Sequence, residues 1–271
     1  MAEQALLFPG QGSHADGMDA PHRGSPLFGR GLELLGFDPF EDLAQGTRTQ
    51  QPALFLCSVA AWDEARRPDA AAAAGHSLGE YAALVAAGAL EFEDALRLVD
   101  ARAAAMDRAA QRAAGGMVAM LGGDGRSVRA LASRLGLVVA NDNAPGQLVL
   151  SGSVDALDEA EDVARDETGA RARRLDVTGA FHSPLMEPAA ERLRAALDAT
   201  PVAEPSRPVY SNGSAAPFVD VRRELAENLL RPVRWRETLL ALRTARIERF
   251  VELGPGAVLT GLVKRTLQAA A

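Results

Sequence analysis

Apolar positions along this chain fall into short runs that alternate with longer helical stripes. Ala5-Leu6-Leu7-Phe8 is an apolar run stopped by Pro9-Gly10-Gln11-Gly12-Ser13, which predicts a buried strand ending in a glycine-rich turn. Residues 14–50 are rich in Gly, Pro and polar side chains and read as loop with short helices. A helix is predicted over Gln51 to Arg66, with Pro52 near its first turn. A second apolar run, from Pro68 through Ala74, is broken by Gly75-His76-Ser77-Leu78-Gly79. Glu80 to Ala87 then reads as a helix closed by Gly88. Residues 91–112 carry one long helical stripe.

From Met117 the rhythm changes. Strand 117–121, helix 126–135, strands 137–140 and 147–151, helix 154–168 and strand 171–177 follow in the β-α-β-β-α-β order of a ferredoxin-like unit. A small subdomain is therefore placed at about 116–178, inserted into a large one made of 1–115 and 179–271. The outer part resumes with a helix over 184–200, a strand at 208–211, a helix ending near Leu230, a helix over 236–244 and a strand at 249–253. Its alternation of strands and helices predicts a parallel α/β layer.

Composition narrows the classes. Of 271 residues, 48% are hydrophobic and 24% charged, so the chain can bury a sizeable core. The formal charge is −7 with arginines scattered among acids, which argues against a nucleic-acid ligand. No apolar stretch approaches a membrane span, and Met1-Ala2-Glu3-Gln4 lacks the basic start of a signal peptide. Cys57 is the single cysteine, so neither an internal disulfide nor a Cys-rich metal site is expected, and a cytoplasmic protein fits.

Gly75-His76-Ser77-Leu78-Gly79 matches the G-x-S-x-G nucleophile elbow, and it lies between a predicted strand and a predicted helix. Glycines are needed on both sides because the turn is tight. The helix start aims the Leu78 amide toward a developing oxyanion. A nucleophilic serine needs a base. His14 and His22 lie in the loop-rich region and His76 should point away from its neighbour, which leaves His182, in the connection back to the large subdomain.

On a helix over 91–112, at about 100° per residue from Leu96, Arg97, Asp100, Asp107, Arg108 and Arg112 share one solvated face. Arg102 falls on the opposite, apolar side. A buried guanidinium needs an anion or a structural partner, so it is either a clamp for a substrate carboxylate or half of an internal ion pair. The turn at Gly10-Gln11-Gly12-Ser13 is either a source of a second oxyanion amide or a simple tight turn; with no Gly-Lys-Ser/Thr it is not a phosphate loop.

Phe8-Pro9-Gly10-Gln11-Gly12-Ser13, Gly75-His76-Ser77-Leu78-Gly79-Glu80, Arg102 at 25 positions past the serine, Ala180-Phe181-His182-Ser183 and Gly254-Pro255-Gly256-Ala257 occur in that order. Together they resemble the malonyl-CoA:acyl carrier protein transacylases, the discrete acyltransferases of fatty-acid and polyketide synthesis. The resemblance implies an α/β-hydrolase-like parallel-sheet core with the inserted ferredoxin-like subdomain. It implies Ser77 as the acylated nucleophile, His182 as base and acid, Leu78 and Gln11 as oxyanion donors and Arg102 as the clamp on the malonyl carboxylate. Asn228 would orient His182 through its main-chain carbonyl, and Phe181 would favour malonyl over methylmalonyl groups.

Malonyl-CoA and an acyl carrier protein are the implied partners. Coenzyme A enters as a substrate, no metal or other cofactor is needed, and the chain is expected to act as a monomer. Arg171, Arg173 and Arg174, with Lys264 and Arg265, are candidates for a carrier-docking patch. Two alternatives share the same residues: an acyl hydrolase that transfers to water, and a non-catalytic docking subunit. The chain departs from the family pattern at His14, where Gln is usual, and is short between Ser13 and Gln50 and between Trp62 and Pro68.

Overall fold

The computed structural model describes residues 3–270. The chain opens with β1 (Glu3–Phe8), α1 (Pro26–Leu35), α2 (Thr47–Glu64), β2 (Ala72–Gly75), α3 (Gly79–Ala86) and α4 (Phe92–Arg112). It continues through β3 (Gly115–Gly122), α5 (Gly125–Arg134), β4 (Val138–Ala144), β5 (Gln147–Ser153), α6 (Val154–Thr168) and β6 (Ala170–Arg174). It closes with α7 (Glu187–Asp198), β7 (Val209–Ser211), β8 (Ala216–Pro217), α8 (Val221–Glu227), α9 (Trp235–Thr244), β9 (Ile247–Glu252) and α10 (Val258–Ala269).

Two sheets organise these elements. The larger has the order β8-β7-β2-β1-β9, parallel except for β8 at its edge. β1 lies inside it, flanked by β2 and β9, so both of its faces are covered. That is why Ala5, Leu6, Leu7 and Phe8 are all fully buried and form an unbroken apolar run instead of an alternating one. Removing such a side chain, as in Leu6→Ala, costs about 2–5 kcal/mol.

The smaller sheet is antiparallel with the order β4-β5-β3-β6, the ferredoxin-like arrangement. Its two faces go to different cores. Val118, Met120, Leu148 and Leu150 pack with Val128, Leu131 and Leu157 of α5 and α6. Met117, Ala119 and Val149 join the main core instead. Asp142 of β4 accepts from Arg129 of α5 and from Arg236 of α9, and its backbone N–H donates to Val233 at 2.9 Å, which ties the small sheet to the large subdomain.

Several boundaries differ from the sequence reading. α2 starts at Thr47, not Gln51, so Pro52 lies inside the helix and not in its first turn. The polar Thr47, Thr49 and Gln50 looked like loop, yet they are buried and hydrogen-bonded. The second strand is confined to Ala72–Gly75, and β6 stops at Arg174 because Leu175 and Val177 leave the sheet to line a cavity. The helix expected from Pro184 begins as a 3-10 turn, Pro184–Met186, before α7. The apolar pattern predicts neither β8 nor α10.

Candidate active site

The register of the large sheet sets Phe8 beside Gly75, so the turns after β1 and β2 lie next to each other at the carboxyl end of the strands. That is the usual ligand-binding edge of a parallel sheet. A Cβ on Gly75 would stand 1.9 Å from the backbone of Gly79, one on Gly79 2.1 Å from the Phe8 carbonyl, and one on Gly10 2.3 Å from the His76 carbonyl. Only glycine fits at these positions. Ser77 between them has φ +51°, a left-handed conformation that costs about 1–3 kcal/mol and must be held by its surroundings. Asn212, just after β7, supplies that hold: its Oδ1 accepts from the Ser77 N–H at 2.6 Å and its Nδ2 donates to the Gly75 carbonyl at 2.7 Å.

The Ser77 hydroxyl lies 2.8 Å from His182 Nε2. His182 Nδ1 faces the carbonyls of Asn228 at 2.8 Å and Arg231 at 3.1 Å. Both partners are acceptors, so Nδ1 carries the proton and Nε2 is free to accept one from the serine. His182 also has positive φ, +55°, and is 5% exposed. Burial, reinforced by the charge of Arg102, lowers its pKa to about 4, although the Asn228 carbonyl opposes the shift. The imidazole is therefore neutral at neutral pH. The arrangement is that of a serine activated by a histidine, with a main-chain carbonyl where a triad has a carboxylate.

Arg102 of α4 is 2% exposed. Its Nη2 donates to Ser77 Oγ at 3.0 Å and its Nη1 to Gln51 Oε1 of α2, while its Nε has no partner. The guanidinium also lies 5.9 Å from the ring centre of Tyr81. No carboxylate lies within ion-pair distance of it among the described residues, so of the two readings left open by the sequence the internal ion pair is absent. Burial lowers its pKa, but an arginine stays charged in a protein.

Ser77 and His182 border a cavity of about 310 Å³ lined also by Gln11, His14, Met106 and Phe181, among others; Arg102 is not in its wall and meets it through the Ser77 hydroxyl. The small sheet closes it with Met117, Val149 and the asparagines 141 and 143. Phe181 packs at its wall, 5% exposed. Leu78 precedes α3, and neither its amide nor that of Gln11 is used in a hydrogen bond among the described residues. Two donors thus remain available near Ser77 for an oxyanion. Cys57 is no competing nucleophile, since burial pushes its thiol up to about 12.

All seven residues singled out from the sequence, Ser77, His182, Gln11, Leu78, Asn228, Arg102 and Phe181, belong to this one region. The His76 ring hydrogen-bonds to Asn143 at 2.8 Å and not to the Ser77 hydroxyl, but it also lines the cavity, so it is less remote than expected. Arg174 is unsuited to a docking patch because Asp158 and Glu161 pair with it. Gln51, Glu80, Asn212 and Asn143 were missed. The only sequence signal was polarity at positions where the helical pattern calls for apolar residues, and it is plain for Gln51 and Glu80 alone.

A family model described as "Acyl transferase domain" matches residues 33–271. The chain belongs to the acyltransferase family. This acyltransferase is 38% identical over 289 aligned residues to the malonyl CoA-acyl carrier protein transacylase of Bacillus subtilis, covering 98% of this chain and 90% of that protein. Among solved structures, the malonyl-CoA:acyl carrier protein transacylase of Xanthomonas oryzae superposes with a TM-score of 0.92 at 37% identity, covering 99% and 93% of the two chains. A malonyl-transacylase solved in complex with its type II polyketide synthase acyl-carrier protein gives 0.91 at 36% identity, covering 98% and 94%. No helix among the described residues is long and apolar enough to cross a membrane.

Proposed function

We propose that this acyltransferase moves a malonyl group from coenzyme A to the pantetheine thiol of an acyl carrier protein, by a ping-pong route through an ester on Ser77. The observation that carries the reading is Arg102: a buried cation, donating to the serine hydroxyl and lacking any carboxylate of its own. An unpaired buried charge is costly, and a site for neutral acyl chains gains nothing from it. A malonyl thioester brings the missing carboxylate. The relatives named malonyl transacylases support the same choice.

In the first half-reaction the malonyl carboxylate binds the guanidinium of Arg102, taking over from Gln51. Ser77 Oγ attacks the thioester carbonyl as its proton passes to His182 Nε2, and the oxyanion is held by the Leu78 and Gln11 amides. The C–S bond breaks, the imidazolium returns its proton to the departing thiolate, and coenzyme A leaves a malonyl ester on Ser77. In the second half the carrier's thiol gives its proton to His182 and attacks that ester; Ser77 recovers a proton as it leaves. The transfer needs no metal and no redox cofactor, and a monomer suffices for it.

Incubation with malonyl-CoA, followed by intact-protein and peptide mass spectrometry, tests the reading. A malonyl adduct on Ser77 that persists until a carrier protein is added supports transfer. Steady release of malonate without any acceptor would make the chain a hydrolase, and no adduct and no turnover would leave a docking subunit.

A further inference from the structure

One buried acid plays no part in the transfer as written. Glu80, in the first turn of α3, is 2% exposed, and its carboxyl group meets two asparagines. Its Oε1 accepts from the Asn212 backbone N–H at 2.7 Å. The Asn228 side-chain Nδ2 lies 2.9 Å from Oε1 and 3.2 Å from Oε2, and also reaches Ser211 Oγ at 3.0 Å. These asparagines have separate jobs. Asn212 grips the elbow on both sides of His76, at the Ser77 N–H and the Gly75 carbonyl. Asn228 offers the main-chain carbonyl that holds His182 Nδ1. Ser77 and His182 come from segments more than a hundred residues apart, and Glu80 is the side chain that touches both of their supports.

We infer that Glu80 is a positioning residue: by holding Asn212 and Asn228 together, it fixes the distance and angle between the Ser77 hydroxyl and the His182 imidazole. The inference rests on the proposed acyl transfer for its rate consequence, but its geometric part stands on the contacts alone. A serine–histidine pair with a carbonyl in place of a triad carboxylate has no charged group to orient its base. The carbonyl orients only as well as its own segment is held, and a displacement of about 1 Å at a reacting pair can cost about 100-fold in rate.

The character of the acid is also specified. Burial pushes the Glu80 carboxyl up to about 8, more than the donors from Asn212 and Asn228 and the charge of Arg102 can offset. Glu224 adds to the rise. Glutamine has the same length and keeps one carbonyl acceptor for the Asn212 and Asn228 donors, so it is the closest mimic of the shape of Glu80 without its charge.

Glu80→Gln and Glu80→Asp separate shape from charge. Glu80→Asp keeps the acid but draws it back by one methylene, out of reach of one asparagine or the other. We expect single-turnover acylation of Ser77 by malonyl-CoA to fall about 10–100-fold in Glu80→Asp with KM within about twofold, and to stay within about threefold of wild type in Glu80→Gln. Nitrogen-15 histidine spectra supply the second readout: the His182 pKa should move toward the ordinary histidine value in Glu80→Asp and stay put in Glu80→Gln. Leu239→Ala, in the separate core around Trp235, controls for loss of stability and should move neither readout. Equal acylation rates and an unchanged His182 titration in Glu80→Asp would overturn the inference, as would a Glu80→Gln variant as impaired as Glu80→Asp. If wild type forms no adduct, the acyl-transfer reading fails instead, and the spectra alone decide the positioning role.

Discussion

Ser77 and His182 sit on backbone bent to φ +51° and +55° and are held by the hydrogen bonds they donate to Asn212, Asn228 and Arg231. Arg171 and Arg173, by contrast, lie exposed on β6, the edge strand of the small sheet, with no ion-pair partner among the described residues. Their register opposite Leu121 and Ala119 places them on the cavity-side face of that sheet. The floor of the cavity is over-determined and strained; these β6 arginines are exposed, charged and outside the cavity wall. Chemistry at the floor demands sub-ångström placement, whereas recognition at an exposed face draws on screened charges whose reach is about 8 Å at physiological salt. Substitutions should therefore differ in size and in kind between the two regions.

The largest effect belongs to the floor. Ser77→Ala should abolish acyl-enzyme formation, and His182→Ala should slow it by about 10²–10⁴-fold, the usual loss of a general base. Rapid-quench acylation with malonyl-CoA reads both, and labelling that survives in Ser77→Ala would break the assignment.

The same floor sets a pH signature. With His182 near 4 in the folded protein, kcat/KM for acylation should stay level from neutral pH down to about 5 and fall as the imidazole takes a proton. Stability follows its own sign. Between the ordinary histidine value of about 6.5 and 4, the unfolded chain binds a proton that the folded chain refuses, so up to about 3 kcal/mol of stability is lost as the pH falls through that window. Glu80 runs the other way: raised to about 8, it contributes stability that is full below about 4.5 and fades as the pH rises through 8. Thermal melts of wild type and His182→Gln across pH 4–7 check the first term, since the variant should lose less stability on acidification.

Phe181 lines the cavity beside His182. Its ring at the cavity wall should favour malonyl-CoA over methylmalonyl-CoA by roughly 10–200-fold at most, since one methyl group is worth only about 1–3 kcal/mol. Phe181→Ala should narrow that gap, and equal kcat/KM for both thioesters in wild type would remove Phe181 as a selector. The smallest effect is expected at the exposed charges. Charge reversal at Arg171 and Arg173, with Lys264 and Arg265 of α10, should raise the carrier-protein KM severalfold, more at low salt, and leave acylation by malonyl-CoA unchanged. An unaltered carrier KM would move the docking surface elsewhere.

Much of the floor could be read from the sequence because its demands are local. Two glycines flanking Ser77 report the tight turn, and a charged residue on the apolar stripe of α4 reports Arg102. The support network could not be read in that way. Asn212 follows a three-residue strand and Asn228 ends a short helix, and nothing in either neighbourhood shows that both converge on Glu80. The early start of α2 was hidden for a related reason: Thr47, Thr49 and Gln50 are polar like loop residues, yet their hydrogen bonds are made inside the fold, next to the cavity. Periodicity finds surfaces that shed water; it is silent about polar groups that satisfy one another.

Arg102 tests the central claim most directly, because its two possible roles give opposite results. The decisive measurement is kcat/KM for malonyl-CoA and for acetyl-CoA in wild type and Arg102→Ala, together with the melting temperature. If the guanidinium clamps the malonyl carboxylate, the variant should lose about 2–5 kcal/mol of transition-state binding for malonyl-CoA, the cost of truncating one partner of a buried charge pair, and little for acetyl-CoA. A parallel loss for both thioesters with a lowered melting temperature would contradict the account and leave Arg102 as a structural residue.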